Sequence, residues 1–261
     1  MTRVDMVKGA YILEMLSSNV REEQRGFKDY RKIRIDKDFI PHAEGSAKVK
    51  IGETDVLVGV KLGLDKPMPD KPEEGNLMVT AELLPLASTN YEAGPPSPES
   101  IEFARVVDRG IRAAGIVDTK SLFIEEEKVW TVFVDMYVLN YDGNLFDAGT
   151  LACMAALMHT KMPRYEDENV IREGNLSRLK FGNVVTSCTS AKIRNKILLD
   201  PNGLEESVMD ARLTIANDEG AVRAMQKGLK GAFTAKEVDS LIEEAFEKSK
   251  ELRNILNNIG D

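Results

Sequence analysis

Cysteine and histidine are scarce in this sequence. Its 261 residues hold two cysteines, Cys153 and Cys188, and two histidines, His42 and His159. The cysteines do not form a C-x-x-C pair, so neither a disulfide framework nor a thiolate metal site is expected, and both are read as buried thiols. No residues near either histidine suggest a Ser–His pair or an imidazole metal site, and no metal or cofactor is expected for this chain. No apolar run approaches the roughly 20 residues that a membrane helix needs. Charges of both signs in Met1 to Ala10 do not fit a secretory leader. An intracellular, cytoplasmic protein is the expectation. Excess positive charge is also missing. The net charge is −8 at pH 7, so any nucleic-acid contact must come from a local basic patch rather than from bulk attraction.

The composition is that of an ordinary globular protein, with 43% hydrophobic and 30% charged residues. Apolar spacing at Val4, Val7, Tyr11, Ile12, Met15 and Leu16 predicts an amphipathic N-terminal helix. Strand-like runs follow at Ser46 to Ile51, Asp55 to Val60 and Asn76 to Leu83, the last two separated by the proline-rich connector Asp65 to Pro72. The breaker Glu92 to Pro98 should precede a helix that starts near Ser97 or Pro98, with Ile101, Ala104, Val107, Ile111 and Ala114 as its apolar stripe. Strands are expected at Ser121 to Ile124 and Trp130 to Leu139, then a small-residue helix from about Asp147 to Lys161.

Strands resume at Leu179 to Gly182, Val184 to Ile193, Ile197 to Leu199, Ala211 to Ala216 and Ala221 to Lys227. A capping box from Thr234 to Glu237 opens a long last helix. The order strands, helix, strands, helix, strands, helix predicts an α+β fold: one domain over residues 1–261, built of two similar α+β halves, about 1–160 and 161–261.

Longer motifs go beyond periodicity. They are Gly45 to Gly52 (GSAKVKIG), Leu83 to Pro96 (LLPLASTNYEAGPP), Ala104 to Arg112 (ARVVDRGIR) and Trp130 to Ala156 (WTVFVDMYVLNYDGNLFDAGTLACMAA). Over nearly the whole chain they resemble the RNase PH family, and within it the non-catalytic ring subunits of archaeal exosomes. That resemblance implies an RNase PH-like fold whose two halves are of βαβα type. It also implies a hexameric ring of three heterodimers with a catalytic RNase PH-like sister subunit, a cap of RNA-binding subunits on one face, and single-stranded RNA as the common ligand. Catalytic family members degrade RNA from its 3′ end with phosphate as the attacking group.

The resemblance also implies where chemistry would reside. In catalytic members a Gly-Ser/Thr-Arg tripeptide at a helix N-terminus holds phosphate, a natural anion site. The matching residues here are Gly149, Thr150 and Leu151, where leucine brings no positive charge. Catalytic members also carry two closely spaced aspartates after a strand that ends in Asp. Here the strand-end Asp200 is present, and the two positions fall on Glu206 and Arg212, or one residue later on Ser207 and Leu213. A guanidinium in place of a carboxylate reverses the charge and removes a metal ligand. No catalytic residue is therefore assigned. The alternative is an active phosphorolytic exoribonuclease that uses Asp200, Glu206 and Asp210 in a shifted site, and a third possibility is a stand-alone RNA-binding protein.

Arg105, Arg109 and Arg112 fall at helical spacings of four and three, so they share roughly one face. Composition alone favours a solvated row paired with Glu102 or Asp108. The resemblance favours RNA contact for Arg105 and Arg109 and leaves Arg112 open. The basic run at Arg25, Lys28, Arg31 and Arg34 reads as mostly structural, on the ground that alternation along a strand would scatter it over two faces. Trp130, the single tryptophan, reads as core rather than as a base-stacking platform.

Overall fold

The structure is a computed structural model that describes residues 3–259, without the side chains of residues 3–6 and 23. Helix α1 (Arg3–Ser17) is followed by strands β1 (Ile33–Lys37), β2 (Gly45–Ile51), β3 (Thr54–Asp65) and β4 (Asn76–Leu83). Then come α2 (Pro98–Ala114), β5 (Phe123–Glu125), β6 (Lys128–Asn140) and α3 (Leu145–Met158). Four short strands bridge to the second half: β7 (Lys161–Met162), β8 (Arg164–Glu166), β9 (Asn169–Ile171) and β10 (Ser177–Arg178). That half holds β11 (Thr186–Ile193), β12 (Lys196–Leu199), α4 (Gly203–Glu206), β13 (Ala211–Asn217), β14 (Val222–Gly228) and α5 (Ala235–Asn257).

The larger sheet runs in the order β1-β2-β3-β6-β4, with β5 also pairing to β6. Its pairs are antiparallel except β4 with β6, which are parallel, so the chain must cross over between them, and α2 is that crossover. The second sheet, β12-β11-β13-β14, is antiparallel throughout. Helix α3 lies between the sheets, against β2 and β3 on one side and β11 on the other. This position explains its composition. A helix covered on all sides has no polar stripe, and every residue from Leu145 to Leu157 is buried. Leu151 and Met154 are fully buried, worth ~1.5–3 kcal/mol each by transfer from water. The small residues permit close approach. A Cβ on Gly149 would stand 2.5 Å from two ring atoms of Phe103 on α2.

Local chemistry sets the helix ends. Ser97 Oγ accepts from the Ser100 amide, Pro98 opens α2, and Gly115 at φ 61° closes it. The Thr234–Glu237 capping box forms as the sequence predicts.

Several elements depart from expectation. Ile101 (48%), Val7 (71%) and Tyr11 (52%) are exposed, because α2 turns Phe103, Val107 and Ile111 inward and α1 anchors through Ile12 and Leu16 on Ile193 and Leu198 of the second half. Val4 lies outside the described side chains. The small-residue helix starts at Leu145, not Asp147, and ends at Met158, since the Lys161 amide donates to the Glu44 carbonyl instead of continuing the helix. Leu179 to Gly182 is not a strand. Its one bridge joins Phe181 to Val117, and the Gly182 amide goes to the Ile116 carbonyl after α2. Trp130 is core, 4% exposed.

Candidate functional site

The site is built around the amino end of α3, where β6, α4, β12 and the 25–31 loop converge. Strand β6 runs into the turn Asp142-Gly143, and Asn144 caps α3 in the left-handed region at φ 53°. The cap side chain accepts no bond from a helix amide. Its Nδ2 donates to Asp147 Oδ2 (2.9 Å) and Asp200 Oδ1 (2.7 Å), and its buried Oδ1 has no partner. Its backbone amide donates to Glu206 Oε1 at 2.8 Å, and the Tyr141 hydroxyl donates to Glu206 Oε2. Burial pushes the Glu206 carboxyl above the usual carboxylate range. The Tyr141 and Asn144 bonds and the positive charges of Arg212 and Arg31 work against that rise. Asp147, in the first turn of α3, is buried and raised to about 6 by desolvation, although Asn144, Thr189 and Tyr30 all donate to it. Three carboxylates thus surround the amino end of this helix, the place where an anion would bind.

Asp200 follows β12 at φ 50° and is fully buried. It accepts from the Arg31 amide (2.8 Å), Arg31 Nε (2.9 Å) and Nη2 (2.8 Å), and Arg25 Nη1 (2.9 Å). Burial alone would raise its pKa, but Arg31 and Arg25 hold it below the ordinary value. Next to it, Arg21 makes a two-armed bond to Glu205 at 2.8 Å on each arm. Glu205 also completes a capping box with Asn202 at the start of α4. Half of the basic run is structural, and not for the reason read from the sequence. Arg25 and Arg31 precede β1 in a loop and converge on one buried carboxylate, whereas Lys28 (paired with Glu244) and Arg34 (paired with Asp36) face solvent.

The tripeptide Gly149, Thr150, Leu151 does not lie at a helix N-terminus. It sits past the first turn of α3, buried, with Thr150 Oγ1 donating to the Phe146 carbonyl and Leu151 in the core. The helix begins four residues earlier in the turn, at Gly143-Asn144-Leu145, and Gly149 serves packing against Phe103. Glu206 reaches α3, but Asp200 is committed to two arginines and Asp210 accepts from the Arg194 amide, so these carboxylates do not form one cluster. Among the described residues no group of three or more His, Cys, Asp and Glu could hold a metal ion.

A second cluster lies on the exposed side of α2. Arg212 on β13 stacks its guanidinium 4.2 Å from the centroid of the Phe146 ring and donates from Nη2 to Glu102 Oε1 at 2.7 Å. The same oxygen accepts from Gln226 Nε2 (3.3 Å), and Gln226 Oε1 accepts from Arg109 Nη2 (2.6 Å). Arg112 holds Asp108 through Nε (2.8 Å to each oxygen) and donates to the Leu77 carbonyl. Arg105 is exposed and has no hydrogen bond or ion pair among the described residues. Of the arginine row, Arg112 is thus the solvated ion pair that composition suggests, and Arg105 and Arg109 keep guanidiniums free of carboxylates. Glu102 was visible in the sequence as an i, i+3 neighbour of Arg105. Gln226 was not, because β14 meets α2 only in the folded chain.

Residues 29–163 match domain 1 of the 3′ exoribonuclease (RNase PH) family, and residues 183–248 match its domain 2. The chain is 47% identical over 251 residues to the exosome complex component Rrp42 of Thermococcus gammatolerans, covering 94% of this chain and 92% of that one. It is 44% identical over 252 residues to the protein of the same name from Aeropyrum pernix, covering 94% and 91%. Among solved structures, a chain of the Archaeoglobus fulgidus exosome with RNA bound to the active site superposes with a TM-score of 0.92 at 44% identity, over 97% of this chain and 99% of that one. A chain of an archaeal exosome core gives 0.88 at 42% identity, over 98% of each.

Proposed function

This chain belongs to the RNase PH family of 3′ exoribonucleases, and on that premise we propose that it is an exosome ring subunit that positions RNA but has no phosphorolytic site of its own. The observation that carries this reading is the occupied amino end of α3. Phosphorolysis needs inorganic phosphate beside the scissile bond, and that requires donors and positive charge. Here the Asn144 amide is taken by Glu206, and Asp147 and Asp200 stand beside it. The nearest buried cations, Arg25 and Arg31, are used by Asp200. A phosphate would meet like charge with no free counter-charge. Arg212, where a carboxylate of a working site is expected, adds a second fault, because a guanidinium cannot hold a metal or take a proton. In this proposal the catalytic RNase PH-like sister subunit performs the cleavage, three heterodimers close the ring, and RNA-binding cap subunits cover one face. Arg105, unpaired, and Arg109, held by Gln226 but by no carboxylate, present their guanidiniums to the phosphates of single-stranded RNA. The ring acts in the cytoplasm. Among the described residues no helix is long and apolar enough to cross a membrane.

The test compares the purified chain with the complex reconstituted with its sister subunit, each given single-stranded RNA, inorganic phosphate and magnesium. The complex is expected to release nucleoside diphosphates and the lone chain none. Release by the lone chain at a rate comparable to the complex would establish the alternative, an active exoribonuclease.

A further inference from the structure

We propose that Arg212 is a positioning residue for RNA: by holding Glu102, it keeps that carboxylate from neutralising Arg105. This inference rests on the RNA-contact role proposed above for Arg105 and Arg109. Glu102 and Arg105 are three residues apart on α2, the spacing at which a helical carboxylate and guanidinium ordinarily pair. They do not pair here. Glu102 turns instead to Arg212 on β13 at 2.7 Å, and the same oxygen takes the Gln226 amide at 3.3 Å.

Arg212 is well placed to win that competition. Its side chain is 11% exposed and its guanidinium lies against the Phe146 ring, so it is already ordered and partly desolvated, whereas Arg105 is exposed and would have to be ordered to reach Glu102, whose own side chain is 38% exposed. The buried Nε of Arg212 has no partner, so Glu102 is the only carboxylate bonded to this guanidinium among the described residues. The same link extends to Arg109, since Gln226 bonds Glu102 through its amide nitrogen and Arg109 through its oxygen. One buried guanidinium thus leaves Arg105 unpaired and fixes Arg109. The charge reversal at Arg212 is therefore useful to binding as well as harmful to catalysis.

The experiment measures the affinity of the reconstituted complex for a fluorescent single-stranded oligoribonucleotide by anisotropy, without phosphate, across a series of salt concentrations. Arg212→Gln frees Glu102 to pair with Arg105 and removes one phosphate contact. The salt slope should fall by about 0.7, and affinity at about 0.1 M salt should weaken about fivefold. Glu102→Gln alone should bind more tightly than the parent, because a carboxylate leaves the strip. The double variant Arg212→Gln, Glu102→Gln should regain at least parental affinity, and Arg212→Lys should stay near the parent because it keeps a cation beside Glu102. Unchanged binding in Arg212→Gln overturns the proposal. So does a loss that Glu102→Gln fails to rescue, which would mark Arg212 as a packing residue only. Arg105→Glu serves as the separate control. If it binds RNA as the parent does, the RNA-contact role itself is wrong; if it weakens binding while Arg212→Gln does not, only the positioning role fails.

Discussion

Replacing Asp200 by Asn separates a structural carboxylate from a catalytic one. The side chain is fully buried and accepts four bonds from Arg25 and Arg31 and a fifth from Asn144 Nδ2. An amide of the same shape keeps one acceptor oxygen and turns an NH2 toward groups that are themselves donors. It also strips two buried guanidiniums of their main counter-charge, leaving Arg25 a 3.4 Å contact with Glu205 and Arg31 a single ion pair with the partly exposed Asp142. Breaking a buried ion pair from one side costs about 3–5 kcal/mol. In a chain of this length that lowers the melting temperature by about 6–20 °C. A pH dependence follows as well. The folded-state pKa of Asp200 lies below its unfolded value of about 4, so its stabilisation is fully present above that pH and is lost as pH falls through the lower folded value. The deficit of the variant should therefore be largest near neutrality and shrink in acid. Thermal melts of parent and variant at several pH values measure both effects. A variant that melts within about 2 °C of the parent at pH 7 would refute the structural role, and a matching loss of activity in the complex would return Asp200 to the chemistry.

Other substitutions test other parts of the molecule. Arg105→Glu should leave the ring assembled, as judged by size, but slow RNA degradation by the complex several-fold, an effect that weakens as salt screens the strip; an unchanged rate removes Arg105 from the RNA path. Gly149→Ala should destabilise the chain by about 1–3 kcal/mol, because the new methyl meets two Phe103 ring atoms at 2.5 Å between well-packed helices. Denaturant titration reads that change, and an unaltered midpoint would mean that α2 and α3 can part without penalty.

Local rules made much of the fold legible. Alternation and apolar runs placed β2, β4 and β6 within about two residues and found β3 but ended it five residues early, at Val60 instead of Asp65; the Ser97-Pro98 pair opened α2, and the Thr234–Glu237 box opened α5. Boundaries failed where a distant group ended an element. Glu44 draws the Lys161 amide away from α3, and Ile116 draws the Gly182 amide away from any strand. Short β1 and the strands β7 to β10 gave too few residues for a periodic signal. The four-residue α4 could have been found, since Asn202 and Glu205 stand at capping-box spacing.

What the sequence determined by itself was the α+β layout, the scarcity of cysteine and histidine, and the presence of leucine and arginine at positions that resemble a phosphorolytic site. The tertiary structure alone decided what each charge does. It took Gly149 to Leu151 away from the helix end, gave Asp200 to Arg25 and Arg31, set Glu206 on the Asn144 amide, and turned Glu102 from Arg105 to Arg212. The physical reason is range. Helical and strand preferences are fixed by neighbours a few residues away, whereas the partner of a buried charge is whichever opposite charge the packed chain brings within about 3 Å, here commonly more than 100 residues distant in sequence.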